Sequence, residues 1–179
     1  MILGLDVSTS VIGYTILDNK SNVVLCEAWD LRNKRKFTDI WNKASFINEQ
    51  LKELNSSYNI EKVYIEEAFT FFKSGGSTAK TMAKLQAFNG IVSWLCLDTF
   101  KNIPTHIPPA RARKLNGIKV SRGQKAKEVV LDYLLENEKA FVIEYTHKGN
   151  PKPTSYDRAD SLIIAKAGFK MAGESCNEI

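Results

Sequence analysis

The sequence predicts an α/β protein, with a mixed sheet of roughly five strands, an antiparallel meander and then parallel strands, flanked by helices. Two apolar, β-branched runs, ILGLDV at 2–7 and VIGYTIL at 11–17, are parted only by Ser8-Thr9-Ser10. A third, NVVLCEAW at 22–29, follows the turn sequence Asp18-Asn19-Lys20-Ser21. Beyond residue 38, stretches of helical period alternate with further strand-like runs. Hairpin-linked strands followed by such alternation give one sheet with helices on its faces. A chain of 179 residues fits one domain spanning residues 1–179.

From Thr38 to Leu54, the residues Ile40, Trp41, Ala44, Ile47, Leu51 and Leu54 recur at helical spacing. IEKVYIE at 60–66 reads as the fourth strand. After Ser74-Gly75-Gly76-Ser77 a helix of roughly 20 residues is expected to run to about Leu97. Its second half, FNGIVSWLCL, is apolar nearly all round, which suits burial against its own sheet and a partner subunit. NIPTHI at 102–107 is the fifth strand, ending at Pro108-Pro109 before a short basic helix. Ser121 and Gln124 fit a capping box opening a helix near 121–136. Residues 145–156, with Gly149, Pro151 and Pro153, form a loop leading to a final helix in SYDRADSLIIAKAGF.

The formal net charge is +5 and the pI about 9.0, a balance that permits a polyanionic partner without demanding one. Cys26, Cys96 and Cys176 are odd in number, far apart and without CxxC spacing. They indicate free thiols, not a zinc site or a disulfide framework. MILGLDVS lacks the marks of a signal peptide, and no run reaches the ~18 apolar residues of a membrane span. No membrane partner is expected.

Three apolar segments each deliver acid where the chain leaves regular structure. Asp6 lies inside the first strand, Glu66 ends the fourth, and Asp157 and Asp160 open the final helix. Each alone has an ordinary explanation: a turn cap, an exposed strand end, or acids complementing a helix dipole. Glu67 follows Glu66 at once, and alternation puts the two on opposite faces. If the four acids converge, each close pair repels by about 4 kcal/mol at 4 Å and an effective dielectric of ~20. Such a cluster holds protons or recruits divalent cations. An oxygen-only set favours Mg²⁺, with Mn²⁺ able to substitute. Two such ions about 4 Å apart serve in-line displacement at phosphorus.

GLDVSTSVIGYTIL, YIEEAF and DRADSLIIAKAG resemble the three acidic motifs of the RuvC family of Holliday junction resolvases, within the RNase H-like superfamily. KTMAKLQAFNGIVSWL is similar to that family's central helix, and PPARARKLNGIKVSRGQKAKEVV to its basic segment. The similarity covers about residues 2–170. It implies an RNase H-like fold, a homodimer with two active sites, and two Mg²⁺ ions per site held by Asp6, Glu66, Asp157 and Asp160. It further implies paired symmetric nicks in four-way or other branched DNA, in the cytoplasm at the nucleoid or on viral DNA. Glu67 is not carried over. Phe69 matches an aromatic that unstacks bases near the crossover, and Lys114 and Lys125 match basic positions near the scissile phosphate, with Lys125, or Lys114, as the catalytic cation. The chain departs from the family in its first turn, Val7-Ser8-Thr9-Ser10, where many relatives carry Pro-Gly.

Seven basic residues and no acid occur between 111 and 127: Arg111, Arg113, Lys114, Lys119, Arg122, Lys125 and Lys127. A solvated face is the ordinary fate of a charge run. Beside an acidic site that repels phosphate, it instead supplies attraction for a nucleic-acid backbone. FTFFKSGGS, with Phe69 and Lys73, is expected to be a DNA-contacting loop. His106 is expected to pack and not to act as a base. Alternatives are a broader branched-DNA or flap nuclease and RNase H activity on RNA–DNA hybrids. The first motif also resembles the phosphate loop of actin-like ATPases, but the second Gly-rich phosphate motif is absent.

Overall fold

A computed structural model describes residues 1–68 and 79–174. The first three strands, β1 (Ile2–Val7), β2 (Val11–Leu17) and β3 (Val23–Asp30), form the expected antiparallel meander. Helix α1 (Ile40–Ser57) leads to β4 (Lys62–Glu66), and α2 (Ala79–Phe100) leads to β5 (Thr105–Ile107). Helices α3 (Pro109–Leu115), α4 (Ala126–Asn137) and α5 (Thr154–Glu174) follow. The sheet order is β3-β2-β1-β4-β5, with β4 parallel to both β1 and β5. This is the mixed five-stranded sheet that the sequence predicts.

The two faces of the sheet carry separate cores. Leu3, Leu5, Val7, Ile12, Ile16, Val63 and Ile65 meet α1 and α2, whose Ile47, Leu51, Phe88 and Val92 are buried against them. On the other face, Ile2, Leu17 and Tyr64 meet α3, α4 and α5 through Ala112, Val130, Leu134, Leu162 and Ile163. β1 is buried along its whole length because it lies between two strands and two helical layers. Its continuous apolar character follows from that position. Cys26 and Cys96 are free and buried, as expected; Cys176 lies outside the described residues.

Several boundaries move, among them the final helix, which opens at Thr154 inside the expected 145–156 loop. Helix α1 opens at Ile40 because Asp39 caps it, its carboxylate accepting from the backbone N–H groups of Trp41 and Asn42 at 2.8 and 2.9 Å. Strand β5 is only three residues long. Helix α4 opens at Ala126 instead of near 121. The Ser121 N–H does donate to Gln124 Oε1 at 2.8 Å, which is half of the expected capping box. Gly123, however, has φ +89°, and that left-handed residue breaks any helix running through it. The Ser121–Gln124 segment is therefore a turn of its own.

Candidate active site

The sheet places Asp6 and Glu66 side by side. In the parallel β1–β4 pair, Leu5 is level with Ile65, and one further step brings Asp6 level with Glu66. Because strand residues alternate, Leu5 and Ile65 point to α1 and α2, so the two acids point to the face covered by α5. Across the antiparallel pair Asp6 opposes Gly13. A Cβ at Gly13 would collide with the Asp157 carbonyl, and one at Gly4 with Ala165. Two glycines in neighbouring strands thus let the backbone of α5 lie directly on the sheet, with its first turn over Asp6.

Polar contacts hold that first turn in register. Thr15 Oγ1 lies 2.9 Å from Ser161 Oγ, and Ser161 Oγ also donates to the Arg158 carbonyl at 2.8 Å. Arg158, between the two acids, turns away from them: its Nε donates to the Cys26 carbonyl at 2.8 Å and its Nη1 to the Val142 carbonyl at 3.1 Å. With Arg158 committed to β3, Asp157 and Asp160 are left on the side that faces Asp6 and Glu66. Behind β4, Asn89 Nδ2 donates to the Glu66 carbonyl at 3.2 Å. His106 Nε2 lies 3.2 Å from Asn89 Oδ1 and 3.0 Å from Ser93 Oγ. His106 is exposed and not packed as the sequence suggested; its two hydrogen-bond partners make it a brace at the end of β4.

All four acids shift in the same direction. Burial, and then the charges of Glu66, Asp160 and Asp157, raises Asp6 well above the usual carboxylate range. Burial, and then Asp160, pushes Glu66 up to about 8, against the opposing charges of Lys127 and Arg113. Asp157 and Asp160 are raised by burial, with Lys127 opposing in both cases. Asp160 Oδ2 makes an ion pair with Lys127 Nζ at 3.6 Å. Burial works to lower the Lys127 pKa, but Asp160, Asp6, Asp157 and Glu66 together hold it up. The four acids therefore share one electrostatic site, and Lys127 is the cation they hold.

The basic segment divides into separate positions. Arg113, on α3, is close enough to Glu66 and Asp160 to oppose their protonation. Lys125 is directed elsewhere: its Nζ pairs with Glu128 at 2.9 Å and the side chain is 80% exposed. Lys127, given in the sequence only as a DNA contact, is the lysine that turns to the acids. Lys127 shares a helical face with Val130, Leu131 and Leu134, a spacing that becomes legible only once the start of α4 is known, and its side chain stays 61% exposed. Arg111, Lys114, Lys119 and Arg122 are exposed along the same side chain segment, with Lys114 and Lys119 lining a shallow cavity of about 260 Å³. Phe69 and Lys73 lie outside the described residues.

The donor set consists of carboxylate oxygens, which suits Mg²⁺ or Mn²⁺ and not zinc. Among the described residues, no group of three acids stands close enough to hold a metal ion as the side chains are placed. The acids fit a divalent cation by their chemistry: buried, mutually repelling and neutralised in part by a single lysine.

A mixed sheet in this order, flanked by helices on both faces, is the RNase H-like fold. Within that fold the chain is similar to RuvC proteins, which bears out the resemblance read from its motifs. It is 26% identical over 178 residues to the crossover junction endodeoxyribonuclease RuvC of Bacteroides fragilis, covering 99% of this chain and 86% of that protein. The structure of Thermus thermophilus RuvC in complex with a Holliday junction substrate superposes with a TM-score of 0.64 at 16% identity, covering 97% of this chain and 94% of that one. The yeast mitochondrial Holliday junction resolvase Ydc2 gives 0.62 at 13% identity, covering 98% and 80%. No protein-family model matches the chain.

Proposed function

We propose that this chain is a homodimeric endodeoxyribonuclease that resolves four-way DNA junctions by paired symmetric nicks. The observation that carries the reading is the convergence of Asp6, Glu66, Asp157 and Asp160 on one face of the sheet, with Lys127 held among them. The similarity to RuvC of Bacteroides fragilis over nearly the whole chain, and to solved Holliday junction resolvases in fold, supports the substrate class. Among the described residues no helix is long and apolar enough to cross a membrane. We place the enzyme on DNA in the cytoplasm.

Asp6, Glu66, Asp157 and Asp160 are the groups that would hold two Mg²⁺ ions, which supply an activated water and charge stabilisation at the leaving oxygen when bound. The chain's own residues prepare that chemistry. Burial of the acids keeps bulk water from screening them, and Gly13 lets α5 bring Asp157 against Asp6. Lys127 and Arg113 offset negative charge beside the acids, so a phosphodiester can approach. Lys127 pairs with Asp160 Oδ2 at 3.6 Å, so a cation held by Asp160 would compete with that lysine for the carboxylate.

A second copy is expected to dock on α1 and α2. Trp41 and Trp94 are 66% and 62% exposed and border a groove of about 540 Å³ with Ala44, Asn48, Gly90 and Ile91. Asn48 Oδ1 is buried there without a hydrogen-bond partner among the described residues. An isologous dimer would cover both tryptophans and present two sites to the two-fold symmetry of a junction.

The test compares four-way, three-way, flap and RNA–DNA hybrid substrates with and without Mg²⁺. Four-way junctions should yield nicked duplexes with 5′-phosphate ends only when Mg²⁺ is present. Asp6→Asn and Glu66→Gln should each abolish cutting and leave junction binding intact. Cutting by both variants would sink the assignment, and equal cutting of all substrates would replace it with a broader nuclease.

A further inference from the structure

A second run of cations stands on the other side of the acids. Between β3 and α1 the chain reads Leu31-Arg32-Asn33-Lys34-Arg35-Lys36-Phe37, with four cations and no acid between the two apolar ends. Leu31 and Phe37 are buried and residues 32–36 are exposed, so the loop is anchored at both ends and presents its charges outward. Asn33 staples it: the side-chain carbonyl accepts from the Arg35 N–H at 3.0 Å and the backbone carbonyl from the Phe37 N–H at 2.8 Å.

The β1–β2 turn joins this loop to the active site. The Leu31 N–H donates to the Ser10 carbonyl at 2.8 Å, and Lys43 Nζ donates to the Thr9 carbonyl. That turn begins two residues after Asp6. Arg32, held by Asp30 through Nε and Nη2 at 2.8 and 2.5 Å, is near enough to Asp157 to oppose its protonation. Beside the turn lies a groove of about 460 Å³ lined by Thr9, Phe37, Asp39, Ile40, Lys43 and Lys84. The acid in it, Asp39, is occupied in capping α1. Among the described residues, no ion pair engages Lys34, Arg35, Lys36, Lys43 or Lys84. Lys36 lies over the Phe46 ring at 4.3 Å.

Topology sets the spacing. Strands β3, β1, β4 and β5 all run in one direction, so their C-terminal ends share one edge of the sheet. Along that edge the order is cations after β3, acids at the ends of β1 and β4, and cations again after β5. Four interstrand steps of ~4.8 Å make the edge about 19 Å wide. At ~3.4 Å per nucleotide of one strand, it spans about five or six backbone phosphates.

We infer that the 32–36 loop, with Lys43 and Lys84, is a second DNA-backbone site that holds the phosphates of the cleaved strand as it continues past the acids, opposite the α3–α4 cations. This inference rests on the proposed junction-cutting function. It makes the acidic site a gap between two basic walls, so that the scissile phosphate is gripped from both sides while the acids repel it.

The test uses the full chain with the Lys34→Ala, Arg35→Ala and Lys84→Ala changes combined, none of them at the acids. Binding to a four-way junction is measured without divalent cation between about 50 and 200 mM salt. Three cations per protomer are about six per dimer on one junction, so log K against log salt should become shallower by about 5, with affinity lower by roughly tenfold per lost contact near 0.1 M salt. The charge-keeping Lys34→Arg, Arg35→Lys, Lys84→Arg protein should retain both wild-type values. A folded alanine variant with wild-type slope and affinity overturns the inference while leaving the nuclease reading intact. Equal losses in the charge-keeping variant would point to damaged structure and overturn it too. A wild-type protein that neither binds nor nicks junctions sinks the function itself.

Discussion

Asp6 and Glu66 keep their protons to higher pH than free carboxylates do, because burial and neighbouring acids both penalise their charged forms. An acid whose folded pKa is raised loses its proton first in the unfolded state. Its contribution to stability is full below the unfolded pKa near 4.5 and is lost as pH rises through the folded value, about 8 for Glu66. Without divalent cation, the melting temperature should therefore fall between about pH 5 and 8, and Asp6→Asn should flatten that slope. Added Mg²⁺ should reverse the trend and release protons on binding, which calorimetry in buffers of different ionisation enthalpy would register. A melting temperature independent of pH over this range would contradict the electrostatic picture. The two lysines make a sharper contrast. Lys127→Ala should slow single-turnover cleavage by about 10²–10³-fold. Lys125→Ala, which breaks only an exposed pair with Glu128, should change it little.

Helix α5 carries half of the acids, and its seat on the sheet decides whether they meet the other half. Gly13→Ala puts a methyl group against the Asp157 carbonyl, and backbone must move to relieve it. Overpacking of this kind costs about 1–3 kcal/mol, or about 2–4 °C in melting temperature for each kcal/mol at this size. Cleavage should fall further than stability predicts, since the displaced turn carries Asp157 away from Asp6; thermal melts and cleavage rates on the same sample separate the two effects. Helix α4 makes a different point. Its apolar stripe through Val130, Leu131 and Leu134 was readable, but its start was not, because Gly123 converts a capping-box sequence into a separate turn. With the start misplaced, nothing distinguished Lys125 from Lys127.

At the scale of the molecule, charge alternates along one edge of the sheet, and Trp41 and Trp94 stand exposed around one groove between α1 and α2. Trp94→Arg should leave the fold intact, because Trp94 is 62% exposed, yet yield monomers in sedimentation. Junctions cut by such monomers should accumulate as singly nicked species, since the two incisions are no longer coupled. Dimers that persist in this variant would move the interface away from the groove between α1 and α2.

The sequence alone determined the sheet, its helical covering and the four acids. An acid inside an apolar strand, or at the buried end of one, contradicts the local pattern, and such contradictions mark sites. Period-two alternation even separated Glu66 from Glu67. Tertiary structure alone decided which cations serve those acids. Lys127 reaches Asp160 because α4 packs with that stripe inward. Arg158 is withdrawn because Cys26 on β3 and Val142 beyond α4 each offer it a carbonyl, and the 32–36 loop comes to the site because β3 ends on the same edge as β1 and β4. A burial pattern can be read along a chain, because water excludes apolar groups wherever they fall. The partner of an exposed charge depends on which distant segments the fold brings within a few ångströms, and no local pattern carries that.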